Sequence, residues 1–242
     1  SSGHRAQGVD LLLLHSPNCW PGSCPDNPTP WQDAWRELES MYSKGAVRAI
    51  GVSNFSEGLL RELLQIATTV PAVVQNWMDP FHQDRAVRAL CAANGIAYVA
   101  YSTLGGQWTY RPSTSSSPNP VSTDATLGTI ASAHGSTRQA VALSWALQSG
   151  VIILPRSSDS GRIRENLRGF VGEQLSSPPE DGTRSAREDR AKAATLKGSD
   201  SDNGGDGVSQ GCTTGGGDVT VKVFLTDDDV RAIDRLDGTI GS

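Results

Sequence analysis

Five short aliphatic or β-branched runs in this chain each stop at polar side chains: His15, Ser53 with Asn54, Gln75 with Asn76, Tyr101 with Ser102, and Arg156 with Ser157. Residues with helical periodicity follow each run. Continuous apolar runs, without in–out alternation, mark parallel strands covered on both faces. A repeat of strand and helix builds a (β/α) barrel, whose ligand site forms where the carboxyl ends of the strands converge. The sequence therefore predicts an α/β fold: a partial (β/α)8 TIM barrel of about five βα units plus a C-terminal helix. Three further units would complete eight strands, and the first strand begins almost at Ser1.

The strands are expected at residues 9–14, 47–52, 72–74, 96–100 and 151–154. The first helix starts near Pro30 and presents Trp31, Ala34, Trp35, Leu38 and Met41 at helical spacing before Gly45. Ser56 is the expected N-cap of a second helix with Leu59, Leu60, Leu63, Leu64 and Ile66 on its apolar stripe. Further helices are read at 83–93, 123–134, 137–148 and 160–168, and Thr226 with Asp227 to Asp229 opens a terminal helix through Leu236. The loop at 104–121, with Trp108 and Tyr110, is longer than a connection requires and reads as a binding loop or lid. From about Gly172 to Val219 the chain is rich in Ser, Gly and Asp with hardly an aliphatic residue, the composition of a disordered insertion. The expected organisation is a partial barrel at 1–171, a low-complexity insertion at 172–220, and a C-terminal helix packing on the barrel at 221–242.

A net charge of −5 over 242 residues argues against non-specific nucleic-acid binding. No apolar stretch is long enough to span a membrane, so neither partner is expected, and the oligomeric state is left open. The four cysteines, Cys19, Cys24, Cys91 and Cys212, fall in unlike contexts. That pattern favours reduced thiols and a cytoplasmic setting, with organelle targeting open because the chain starts with Ser.

Taken singly, each strand-end residue has an ordinary structural explanation, as a satisfied histidine, a loop cap or a backbone partner. Their joint placement gathers one imidazole, several neutral amides and hydroxyls, and an aromatic ring. A carboxylate pair, as glycoside hydrolysis needs, is missing. His15 with Cys19 and Cys24 lacks a fourth ligand, so no metal site is expected. Amides beside a stacking ring suit a flat heteroaromatic bearing a carboxamide, which nicotinamide is. Arg156, Ser157 and Arg162 at the start of the next helix read as a phosphate clamp, with the free N–H groups of the helix start also favouring an anion. The plainer reading there is a surface helix with basic residues.

Six stretches, DLLLLH at 10–15, GAVRAIGVSNF at 45–55, AYSTLG at 100–105, QAVALSW at 139–145, ILPRS at 153–157 and RIREN at 162–166, resemble the aldo-keto reductase family and occur in its order. The resemblance implies an NADP(H)-dependent oxidoreductase that reduces aldehyde or ketone carbonyls of a small-molecule substrate to alcohols. By position, His15 resembles the family's catalytic histidine, which orients and polarises the carbonyl. Ser53, Asn54 and Gln75 resemble the residues that hold the nicotinamide carboxamide, and Tyr101 the ring that stacks on it. Ser102, Leu104 and Gly105 would follow the pyrophosphate; Arg156, Ser157 and Arg162 would hold the 2'-phosphate, with Glu165 and Asn166 near the adenine.

The chain also departs from the family's pattern. The proton-donor tyrosine with its lysine and aspartate has no counterpart here, since Tyr42 and Tyr98 sit within a helix and a strand. Asp79-Pro80 stands where the family usually has His-Pro. Three readings follow: the carboxyl-terminal part of a reductase, inactive by itself; a non-catalytic NADP(H)-binding or regulatory subunit; or a structural chain that completes its barrel with another.

Overall fold

A computed structural model describes residues 8–19, 28–110, 118–168 and 225–240. The insertion expected at 172–220 lies outside the described residues. Five parallel strands, β1 (Leu12–Leu14), β2 (Ile50–Ser53), β3 (Val73–Trp77), β4 (Ala97–Tyr101) and β5 (Ile152–Ile153), form one sheet in sequence order. Helices α1 (Trp31–Ser43), α2 (Glu57–Ile66) and α3 (Arg85–Ala93) connect the first four strands. A 3-10 turn (Gly106–Tyr110) and helices α4 (Pro120–Thr123), α5 (Ala125–Ala133) and α6 (Arg138–Gln148) lead from β4 to β5. After β5 come α7 (Ser160–Arg168) and, beyond the undescribed stretch, α8 (Asp227–Asp234). Unbroken parallel order with helical crossovers is the pattern of a (β/α)8 barrel seen over part of its circumference.

Side chains set the helix starts. Ser56 accepts the Leu59 N–H at the head of α2, Asp124 accepts that of Leu127 for α5, and Thr137 that of Ala140 for α6. Thr226 and Asp229 cap α8 reciprocally, the Thr side chain taking the Asp229 N–H and the carboxylate taking the Thr226 N–H. At Gly51, paired with Leu13 on one side and Val73 on the other, an added Cβ would lie 2.4 Å from the Val73 carbonyl oxygen and 2.7 Å from a Leu13 methyl. Only glycine lets these three strands approach so closely.

The core lies between the sheet and its helices. Val52, Val74 and Ala100 from the strands meet Trp35, Leu60, Leu63, Val87 and Trp145, all at 2% exposure or less. Burial on both faces, expected from the strand composition, holds along β2, all four residues of which are buried, and fails at the two edges of the sheet. Val9 (54% exposed), Leu11 (39%), Ile152 (51%) and Leu154 (49%) remain in contact with solvent. Among the described residues β1 pairs only with β2 and β5 only with β4, so neither edge strand has a second neighbour to shelter it.

α8 seats Ile233 and, just before it, Leu225 in the core, and polar contacts fasten it further. Trp145 Nε1 donates to Asp234 (2.9 Å), His134 pairs with Asp229 (2.8 Å), and the Gln148 amide bonds both the N–H and the carbonyl of Leu225. Gln83, expected inside a helix, precedes α3 instead. The backbone of Asp84 turns left-handed (φ 48°), and the Gln83 amide donates to Pro80 O (2.9 Å) and to Ile233 O at the end of α8 (3.1 Å). No helix among the described residues is long and apolar enough to cross a membrane.

The cysteines correct a second expectation. Cys19 is disulfide-bonded, whereas Cys91 is free and buried, and its burial pushes the thiol up to about 12. The argument for a reducing compartment thereby loses its premise. Alkylation of the unreduced, denatured protein should leave Cys19 unmodified and label Cys91. Equal labelling of both, read by peptide mass spectrometry, refutes the crosslink.

Candidate active site

Four strand ends are tied together at one end of the sheet. The Ser53 hydroxyl donates to the Gln75 carbonyl (2.6 Å), which also receives the Asn54 N–H (3.1 Å). Asn54 takes the left-handed conformation (φ 61°), which asparagine tolerates better than most residues. Its amide donates to the His15 carbonyl (2.8 Å) and its Oδ1 receives the Tyr101 hydroxyl (2.5 Å). The structure thus brings His15, Ser53, Asn54, Gln75 and Tyr101 into one hydrogen-bonded group. Burial, and secondarily the charge of Asp84, push the Tyr101 phenol up, so it serves as a neutral donor.

Behind this group stands the other polar residue expected at the end of β3. Asn76, 8% exposed, clamps both backbone groups of Phe55: Oδ1 accepts its N–H (3.1 Å) and Nδ2 donates to its carbonyl (2.8 Å). Nδ2 also reaches Asp84 (2.9 Å), whose same oxygen takes the Tyr98 hydroxyl (2.7 Å). A clue was available. Strand alternation puts neighbours 75 and 76 on opposite faces, which sends Asn76 into the helix-facing core, where an amide must find partners.

Beside His15, which is exposed, lies a cavity of about 500 Å³ lined also by Leu14, Ser16, Pro17, Trp31 and Gln32. Trp31 packs edge-on against Phe55, with ring centres 5.2 Å apart.

A second cavity, of about 640 Å³, opens at the start of α7. Leu104, Arg156, Ser157, Arg162, Glu165 and Asn166 all line it, together with Gln139 and Ser158, which sequence reasoning missed. Ser102 and Gly105 do not line it; they form the turn that leads from Tyr101 to Leu104. Ser102 is left-handed (φ 55°) and its carbonyl receives the Gly105 N–H (2.8 Å). At Gly105 (φ 78°) an added Cβ would overlap Asn119 at 2.1 Å, and Asn119 in turn donates to the Leu104 carbonyl (2.7 Å). Leu104 therefore links the strand-end group to this cavity.

The free helix start anticipated here is partly occupied. Asp159 accepts the Arg162 N–H (2.8 Å), and the Ser157 hydroxyl accepts the Asp159 N–H (3.1 Å). What faces an anion is accordingly two guanidiniums and a hydroxyl, rather than a bare helix terminus.

A family model described as the Aldo/keto reductase family matches residues 5–177. The chain belongs to that family. Its sequence is 35% identical over 159 residues to the 9,11-endoperoxide prostaglandin H2 reductase of Trypanosoma cruzi, covering 66% of this chain and 50% of that protein. It is 40% identical over 142 residues to the glycerol 2-dehydrogenase (NADP(+)) of Hypocrea jecorina, covering 59% and 42%. The aldose reductase of Giardia lamblia superposes with a TM-score of 0.62 at 25% identity, over 95% of this chain and 62% of that one. A Bombyx mori aldo-keto reductase in complex with NADP gives 0.64 at 22% identity over 97% and 59%, a likeness of fold. The chain spans about half the length of the curated relatives it matches. These neighbours are (β/α)8 barrels, and the five strands described here form part of one.

Proposed function

We propose that this aldo-keto reductase chain carries the cofactor-holding side of an NADP(H)-dependent oxidoreductase that reduces aldehyde or ketone carbonyls to alcohols. One observation supports this above the rest: Arg156, Ser157 and Arg162 share a cavity wall with Leu104, three residues beyond Tyr101 in the turn that leaves β4. Two guanidiniums and a hydroxyl fit a phosphomonoester, since planar N–H forks match its oxygens. Glu165 and Asn166 on the same wall offer an acceptor and an amide to a purine edge.

Bound at the strand ends, the nicotinamide would supply a hydride to the carbonyl carbon. Ser53, Asn54 and Gln75 would fix its carboxamide. Asn54 and Tyr101, which satisfy each other, present the donor and acceptor that such an amide exchanges for. Tyr101 offers its ring face, and His15, beside the 500 Å³ cavity, would orient the carbonyl oxygen.

Titration of the protein with NADPH, followed by tryptophan quenching, tests the reading. Saturable binding at least about tenfold tighter than that of NADH is expected, equivalent to ~1.4 kcal/mol. No saturable binding, or equal affinity for the two, overturns it.

A further inference from the structure

Met78 and Asp79, just beyond β3, grip both ends of one loop. The Met78 N–H donates to the carbonyl of Tyr101, the last residue of β4 (3.2 Å). At the far end of the loop, in the 3-10 turn, the indole N–H of Trp108 donates to Asp79 Oδ2 (2.8 Å). The stretch that runs between these two points carries Ser102, Leu104 and Gly105. Its own backbone supplies the Gly105 N–H to the Ser102 carbonyl (2.8 Å) and the Trp108 N–H to the Gly105 carbonyl (3.2 Å), and Asn119 holds the Leu104 carbonyl (2.7 Å).

Asp79 has no accessible surface, and Trp108 is 3% exposed. Asp79 Oδ2 also accepts the indole N–H of Trp77 (2.8 Å), while Oδ1 accepts the backbone N–H groups of Phe81 (2.8 Å) and His82 (3.2 Å). The rings of Trp77 and Trp108 meet edge to face with centres 5.2 Å apart. With two N–H donors on each oxygen, an acid proton would find no acceptor among the described residues, so the group works as a carboxylate. Hydrogen bonds to an anion are about twice as strong as neutral ones. Three of the donors belong to the segment of Asp79 itself and fix the carboxylate in place. The fourth, Trp108, is the one that reaches across to the loop.

We infer that Asp79 is a positioning residue for the cofactor: through Trp108 it sets the loop at 102–108 along which the pyrophosphate of NADP(H) lies. The inference rests on the function proposed above, which assigns Ser102, Leu104 and Gly105 to that pyrophosphate. A loop that has to be ordered as the ligand arrives subtracts the ordering cost from affinity, whereas one pinned at both ends presents its groups already in place. Arg156 and Arg162, on the far side of Leu104 in the second cavity, do not depend on this pin. Loss of the Asp79 contact therefore weakens the hold on the pyrophosphate and spares the hold on the 2'-phosphate.

Calorimetric titration of the protein with NADPH and, separately, with adenosine 2'-monophosphate separates the two, because the second ligand carries the adenine and the 2'-phosphate without a pyrophosphate. In Asp79→Asn the side-chain NH2 faces two N–H donors whichever way the amide turns, and NADPH affinity should fall about tenfold while adenosine 2'-monophosphate stays within about twofold. Trp108→Phe keeps a ring against Trp77 and removes the crossing N–H, so it should give the same selective pattern at smaller size. An equal loss for both ligands overturns the inference, since Asp79 would then only support the fold. NADPH binding that is unchanged or tighter in the variants also overturns it; tighter binding would mean that the buried charge repels the pyrophosphate. Should Asp79→Asn fail to fold, Trp108→Phe decides alone by the same two titrations. A wild-type protein that binds no NADPH removes the proposed function and this inference with it, whereas wild-type binding with unaffected variants removes the inference alone.

Discussion

Replacing Arg156 and Arg162 together with alanine should weaken NADPH binding about 100-fold while leaving NADH within about twofold of wild type. A hydrogen bond to a charged group contributes about 1.5–3 kcal/mol when sheltered. Both side chains are exposed in this cavity, with Arg162 71% accessible, so each contact is screened and keeps the lower part of that range. Their joint loss is then a factor of about 100 rather than several thousand. Added salt should erode the wild-type preference for NADPH in the same direction. Fluorescence titration of both nucleotides at two ionic strengths measures it, and an equal loss for NADH would mean that these arginines support the fold rather than read a phosphate.

Asn76→Leu should destabilise the protein by about 3 kcal/mol or more, the second large effect expected. Leucine nearly conserves the volume but leaves the N–H and carbonyl of Phe55 unpaired in a site where Phe55 itself has no accessible surface. Each buried orphan costs about 1–3 kcal/mol, and the Asp84 oxygen loses one of its two donors. Because Phe55 follows Asn54 directly, the left-handed turn that points the Asn54 amide at His15 and Tyr101 loses its brace. Denaturant midpoints give the stability change. A variant within about 0.5 kcal/mol of wild type would show that the turn is held by something else.

Much of the site could be read from the chain because parallel strands end in register. Once five apolar runs are recognised, their terminal polar residues must converge, and the pairing of Ser53 with Gln75 and of Trp77 with Tyr101 follows from the sheet alone. Helix caps were equally local: Ser56, Thr137 and Thr226 act within three residues of themselves.

What escaped depended on partners distant in sequence. Gln83 looks like a helix residue, and its amide instead meets the Ile233 carbonyl, 150 residues away. Asp79 looks like half of a turn-forming Asp-Pro pair, and the indole that defines its role, Trp108, sits 29 residues further on. Exposure of Leu11 and Ile152 was hidden for the opposite reason, since apolar composition records what a strand face is suited to meet rather than what lies against it. The occupied start of α7 rests on Asp159, the residue just ahead of that helix.

The contacts that fasten α8 come from Gln83 ahead of α3, His134 at the end of α5, and Trp145 and Gln148 of α6. They grip the helix and its lead-in through Asp229, Asp234 and the Leu225 and Ile233 carbonyls, so the place of α8 is written into its own side chains and backbone, whatever joins it to α7.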